Sequence, residues 1–337
     1  MRFRRVWSLF RVRNNEFFRD RAALGWNFLF PVLVVFGFAF AFSGPSQKMF
    51  KVDVVGQDSP GLARDFLALP SVSSIGVKSV DEGLPKLRRH QVDMVLDAES
   101  VPPRYWINDS SPKGALLEKL LAAKPADSGF QRQTVEGREI RYVDWLIAGL
   151  LGMNMMFGSL FGVGYVIVRY RKSGVLKRLK ATPIKPIEFV LAQVLSRLWI
   201  VLFTAVLVYA GTNFFLKFQM HGSYLTLFLV AAIGALSLIS LGLVVAARTA
   251  SEEFAGGLLN MLSSPMMFLS GVWFSLEGAH PVVQAFAKIF PLTHLVDAAR
   301  LVMTEGAGMA QVAPQLSILG VSAVVFLALG AWSFRWE

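Results

Sequence analysis

Apolar residues run with little interruption at six places along the 337-residue chain, at about 24–44, 145–168, 189–216, 223–247, 254–276 and 314–334. A helix needs roughly 20 such residues to cross about 30 Å of hydrocarbon, so each run reads as a membrane span. The third carries one charge, Arg197, near its basic end. An even number of spans leaves both termini on one side. The first run is too long for the apolar stretch of a cleavable signal, and no small-residue cleavage site follows it.

The segments between the runs differ from one another. Over residues 1–22, Phe3, Val6, Trp7, Phe10, Phe17 and Phe18 recur at near-helical spacing among arginines. This pattern predicts an amphipathic helix in the headgroup layer, ahead of a first transmembrane helix at 23–44. Residues 45–141 change character, with 14 basic and 13 acidic residues. FKVDVVGQD, SIGVKSV, VDMVLDAE and RYWINDSS read as strands, and PGLARDFLAL, DEGLPKLRRHQ and PKGALLEKLLAA as helices. That order predicts a small inserted α/β domain with a short sheet. Its acids Asp53, Asp58, Asp93 and Asp97 are expected at strand ends, where turn chemistry accounts for them. Residues 142–337 hold the remaining spans. Between the last two, 277–306 is too polar to cross and too apolar for an ordinary loop, so it reads as one or two short re-entrant helices. The predicted fold is therefore an α-helical polytopic membrane protein with six transmembrane helices and an inserted small α/β domain.

The charge distribution gives this arrangement a direction. Seven arginines precede the first span, and seven basic residues follow the second. With Arg197, Arg248 and Arg335 that side holds seventeen basic and six acidic residues, the whole net charge of +11. The opposite side nets zero. Cytoplasmic loops carry such an excess, so both termini are expected in the cytoplasm, the insert is expected outside it, and the basic surface is expected to meet anionic lipid, with no nucleic acid as partner. Composition agrees: 17% charged residues and a mean hydropathy of +0.50 are far from the quarter or so of charged residues in soluble domains.

Catalytic signals are scarce. With no cysteine and four scattered histidines, neither a thiolate site nor a histidine-built metal site is expected. No phosphate-binding G-x-x-x-x-G-K-[ST], G-x-S-x-G or H-E-x-x-H is present, so no catalytic residue and no bound cofactor is predicted. The most informative stretch is RYRKSGVLKRLKATPIKPIEF, residues 169–189, which covers 170–186 and reaches the start of the third span. Gly174 separates the second span from a short helix in which Val175, Leu176 and Leu179 face one way and Lys177, Arg178 and Lys180 another. Pro183 and Pro186 stop it. Such a helix can set an apolar knob with a basic rim into a partner's groove.

This stretch resembles the coupling-helix segment of type-2 ABC exporter permeases, whose pattern is similar to E-x-G-[TS]-x-E-x-L-x-x-[ST]-P. Gly174, Leu179, Thr182 and Pro183 match, whereas Ser173 and Lys177 lie near positions where the family commonly has acids. Residues 268–303, FLSGVWFSLEGAHPVVQAFAKIFPLTHLVDAARLVM, resemble the family's segment closing the fifth span and the outer re-entrant helices. Ser270, Gly271, Phe274, Pro291, Leu292, Asp297 and Arg300 come in the expected order. FFRDRAALGWNFLFPVLVVFGFAFAF, with Pro31 inside the first span, is typical as well.

The resemblance implies a transport subunit, not an enzyme, in a bacterial inner membrane. It would pair with two copies of an ABC ATPase, which hold ATP and Mg, and with a second permease, identical or related. Coupling would fall to Gly174, Leu176, Leu179, Thr182 and Pro183. His294, Asp297 and Arg300, at three-residue spacing, are outer-gate candidates or, equally, an ion pair capping a re-entrant turn. Asn154, Met155, Asn260 and Met261 are pathway candidates, since polar groups at that depth face protein or a cavity and thioethers adapt to varied apolar ligands; helix packing explains the asparagines equally well. The expected cargo is hydrophobic or amphipathic. Two other classes are open: an ion-gradient carrier, which usually keeps buried acids in its spans, and a membrane-anchored sensor or scaffold using the insert to bind ligand.

Overall fold

The computed structural model describes residues 3–41, 50–56, 66–69, 71–89, 91–100, 102–109, 111–122, 131–135, 142–249, 251–273, 276 and 280–336. The chain forms two compact units, Ser43–Arg141 and the combination of Met1–Phe42 with Tyr142–Glu337.

The larger unit is helical. It contains α1 (Phe3–Arg19), α2 (Arg21–Ala41) and the helices that follow the insert, α5 (Tyr142–Lys172), α6 (Val175–Lys180), α7 (Pro186–Leu216), α8 (Tyr224–Ala246), α9 (Glu252–Leu269), α10 (Pro281–Ala287), α11 (Pro291–Glu305) and α12 (Met309–Ser333). Among the described residues four helices are long and apolar enough to cross a membrane: Asp144–Lys172, Pro186–Leu216, Tyr224–Ala246 and Met309–Ser333. A shorter apolar stretch, Asn27–Gly37, lies inside α2. The fifth expected run, 254–276, is cut short. Helix α9 ends at Leu269 because Gly271 adopts φ 67°, a left-handed conformation that glycine enters without a Cβ clash.

Helix α8 sits at the centre of this unit, with Leu238, Ile239 and Leu243 fully buried. Gly242 of α8 lies against the Leu160 backbone of α5, where a Cβ would come within 2.9 Å of the carbonyl oxygen; small residues let spanning helices approach this closely. Helix α12 instead leaves Val321, Val324 and Trp332 exposed, as suits a lipid-facing surface. Helix α1 buries Val6, Arg13, Asn14 and Phe17 and exposes Phe3, Val12 and Phe18.

The smaller unit holds β1 (Phe50–Val55), β2 (Val72–Gly76), α3 (Val80–Arg88), β3 (Met94–Asp97), β4 (Arg104–Asn108), α4 (Pro112–Ala122) and β5 (Gln131–Val135). The sheet order is β2-β1-β3-β4-β5. Strand β1 is parallel to β2 and β3, β3 pairs antiparallel with β4, and β4 is parallel to β5. Val52, Val54, Met94, Leu96 and Ile107 pack on one face with Leu117 and Leu121 of α4. Val95 and Leu87 of α3 cover the other.

Strand β5 was not expected from its polar sequence, QRQTV; it forms because β4 offers an open edge. The expected helix PGLARDFLAL lies largely outside the described residues, as do Asp58 and His90. Asp93 and Asp97 do occupy strand ends. Asp93 accepts the Lys51 amide at 2.8 Å, and Asp97 accepts those of Glu99 and Ser100 at 3.1 and 3.3 Å. Asp53 departs from the expectation: it lies inside β1, its carboxylate fully buried 3.4 Å from Lys86 of α3.

Candidate functional site

Helix α5 ends in basic residues, and Gly174 then turns the chain with φ 74° and ψ 7°. No atom crowds its missing Cβ, so the backbone conformation, not space, calls for glycine. Helix α6 follows. Its Leu176 is fully buried in the helical core, and Leu179 is half-buried against the same core. The apolar side therefore faces the chain's own interior, which corrects the picture of a free knob containing Leu176. Lys177, Arg178, Lys180, Ala181, Thr182 and Pro183 are exposed, so the outward side of this corner is a basic rim.

The rim is held from several directions. Thr182 Oγ1 donates to the Leu179 carbonyl at 2.6 Å. Glu188 closes the start of α7 by accepting the Lys185 amide at 3.1 Å, a reciprocal cap. Arg5 of α1 donates to the Pro183 carbonyl and lies 3.8 Å from Glu188. Farther along α1, Glu16 accepts from Arg13 at 2.9 Å, from Arg169 at 2.6 Å and from the Tyr170 hydroxyl. These two cations and the phenol hold the Glu16 carboxyl below its usual range against the opposing effect of burial. Ser196 Oγ donates to Asn14 Oδ1 at 3.0 Å. The amphipathic first helix is thus fastened to α5 and α7 by its polar face.

At the far end of α11 a different arrangement appears. His294 is buried, its Nε2 2.8 Å from the Lys288 carbonyl, while Asp297 is exposed. Arg300 donates to the carbonyls of Gly271 and of Trp145 (3.2 Å), and its guanidinium stacks 3.6 Å above the Trp145 ring. It therefore ties α11 to the start of α5 and to the turn after α9. The outer-gate candidates share a helix, yet His294 and Arg300 each engage backbone carbonyls.

The four pathway candidates do not line one space. Asn154 faces a cavity of about 710 Å³ between α1, α2, α5 and α7. Met155 lines another of about 730 Å³, nearly all apolar, between α5, α7, α8 and α11. Asn260 is exposed on α9 and Met261 is 66% exposed; with Phe254 and Phe268, also exposed, they mark an uncovered stripe. Sequence reasoning passed over Arg13, Arg171 and the surroundings of Arg197. The available signal for Arg197 was a lone charge in an apolar run opposite two glycines, Gly158 and Gly162, four residues apart on α5.

The sequence model of the ABC-2 family transporter proteins matches residues 21–332. The chain belongs to the ABC-2 family. It is 27% identical over 186 residues to the inner membrane transport permease YhhJ of Escherichia coli strain K12, covering 54% of this chain and 49% of that protein. It is 24% identical over 186 residues to the probable multidrug ABC transporter permease YbhS of the same strain, covering 55% and 49%. Nodulation protein J of Neorhizobium galegae is 27% identical over 173 residues, covering 49% and 63%. The chain spans about half the length of the first two relatives.

Proposed function

We propose that this chain is the membrane-spanning permease subunit of an ATP-driven ABC exporter in a bacterial inner membrane. In this reading α2, α5, α7, α8, α9 and α12 are the six spans; even α9, at 18 residues, rises about 27 Å. Both termini lie in the cytoplasm, on the side carrying the +11 charge excess, and the insert lies outside. The chain hydrolyses nothing itself and binds no cofactor; two copies of a separate ABC ATPase supply ATP and Mg. A second permease, identical or related, covers the exposed α9 stripe of Phe254, Met261 and Phe268.

The observation that carries this reading is the cytoplasmic corner of an ABC-2 family chain. A six-residue helix is held rigidly at the end of α5 and presents only its basic rim and Leu179 edge outward. ATPase closure presses on this rim. Helix α5, 31 residues long and so about 46 Å from end to end, carries the displacement to Trp145, where Arg300 passes it to α11. The outer segment then opens to release a hydrophobic or amphipathic cargo.

The test is capture of the tagged chain from its native membrane, with bound proteins identified by mass spectrometry. Recovery of a P-loop ATPase is expected, and the double variant Lys177→Glu, Arg178→Glu should lose it while still inserting and folding, because both side chains are exposed. A chain recovered alone under conditions that preserve known exporters, or an ATPase retained by the charge-reversed rim, overturns the reading.

A further inference from the structure

The cavity of about 710 Å³ has two kinds of lining. Phe30 and Pro31 of α2, with Met153, Phe157 and Phe161 of α5, supply apolar lining, and Arg13, Glu16, Asp20, Arg169 and Arg197 supply charged lining. Its volume is within the 300–1,000 Å³ or so that holds one small organic molecule.

Arg197 is the unusual member. It stands in the apolar run of α7 and is only 7% exposed. Its guanidinium lies directly over Gly162, where any Cβ would collide with it, and its Nε donates to the Gly158 carbonyl. The guanidinium carbon lies over the Phe17 ring, 5.9 Å from its centre. Two glycines one turn apart on α5 therefore make a slot for this side chain and aim it into the cavity. Among the described residues no carboxylate pairs with it. Glu16, an acid of the same lining, is already taken by Arg13 and Arg169 at 2.9 and 2.6 Å. Arg13 is itself buried, 3.5 Å from the Gly162 carbonyl, so a second guanidinium converges on the same spot. Three arginines face two acids here.

Burying a cation without its counter-charge is strongly unfavourable, and a guanidinium fork matches a phosphate or carboxylate better than any other group. We propose that this cavity binds an amphiphile with a phosphate or carboxylate head, the head on Arg197 and Arg13 and the tail along Phe157, Phe161 and Pro31. As a statement about cargo this rests on the permease reading and names its substrate class. As a statement about binding it needs no ATPase. The occupant comes from the membrane, as a phospholipid, or from the cell's exported amphiphiles; the head chemistry is shared.

The test uses the full chain purified in an uncharged maltoside detergent with about 1 M salt, where the screening length is about 3 Å and surface attraction is suppressed. Dodecyl phosphate and dodecyltrimethylammonium are titrated separately, with binding read by native mass spectrometry and by the thermal midpoint. Saturable binding of dodecyl phosphate at one site is expected, at least tenfold tighter than the cation. Arg197→Gln should erase that preference, and Arg197→Lys should restore part of it. One phospholipid retained per wild-type chain and displaced by dodecyl phosphate assigns the occupant to the membrane. A chain that arrives empty and takes up the probe assigns it to exported cargo. Equal binding of the two probes to the wild type overturns the proposal whatever the variants do, and so does unchanged selectivity in folded Arg197→Gln. No ATPase is present, so failure here leaves the permease reading standing, and the reverse also holds.

Discussion

Arg171 offers the sharpest stability test. It sits at the last turn of α5 and is 8% exposed. Its guanidinium donates to the Ala246, Ala247 and Arg335 carbonyls at 3.0, 3.0 and 2.9 Å, and to that of Thr249. The first two close the C-terminal end of α8, where unpaired carbonyls carry partial negative charge; Arg335 follows α12. One cation therefore ties together three helix ends. Each hydrogen bond to a charged group contributes about 1.5–3 kcal/mol singly. Four on one residue do not add, and the Nε finds no partner among the described residues, so the net is nearer 3–4 kcal/mol, at the upper end for single substitutions. Arg171→Gln keeps at most two donors and should lose most of this. Arg171→Lys, a point charge without the fork, should lose about half. For a body of this size about 1 kcal/mol corresponds to about 2–4 °C, so the Gln variant should unfold about 6–12 °C lower by fluorescence-detected chromatography of heated samples. A midpoint within 2 °C of wild type would mean that water satisfies these carbonyls equally well, and the argument for Arg171 would fail.

Other substitutions probe separate joints. Leu176→Asp should prevent stable folding, since it buries a carboxylate, whereas Lys177→Glu should not shift the midpoint; equal effects would refute the inward orientation of α6. Gly174→Ala, forced to keep φ 74°, should cost about 1–2 kcal/mol, read as a lower midpoint. Arg300→Leu removes its hydrogen bonds to the Gly271 and Trp145 carbonyls and should raise hydrogen exchange in the turn after α9 and at the start of α5 together; exchange rising at one alone would break the proposed tie. In the insert, burial raises the Asp53 carboxyl above its ordinary 3.8, with Lys86 opposing only in part. A carboxyl raised by folding contributes stability below its unfolded value and loses it as pH rises through the folded one. Asp53→Asn should therefore gain protection of β1 and β3 amides relative to wild type more at pH 7 than at pH 4.5, and a pH-independent difference would contradict the burial argument.

The spans were legible because hydrophobic length is a property of consecutive residues. The runs 189–216 and 223–247 return as α7 and α8 within three residues at each end. Errors came where a local backbone choice decides. Gly271 ends α9 seven residues before the apolar run itself ends, and only the adopted φ reveals that. Strand β5 was invisible for the opposite reason: its pairing comes entirely from β4, and QRQTV carries no alternation of its own. Helix α6 was placed correctly, yet the direction of its apolar side was not, because three apolar residues in six fit equally well against a partner or against the helices that precede them.

The charges were the least legible part, and the structure shows why. Sequence reading assigned arginines to a side of the membrane, which needs only a count. It could not foresee that Arg171 and Arg300 donate to backbone carbonyls. Such acceptors carry no side-chain signature, since any helix end or turn supplies them. His294 follows the same rule, taking the Lys288 carbonyl. Arg197 is the exception that carries information. Among the described residues its hydrogen bond to the Gly158 carbonyl satisfies one donor, no carboxylate pairs with the group, and it lines the cavity. An arginine bonded to carbonyls holds helices together; one held by glycines and left short of acceptors is prepared for an anion that arrives from elsewhere. That difference, four carbonyl acceptors at Arg171 against one at Arg197 among the described residues, separates a structural cation from one with binding capacity to spare.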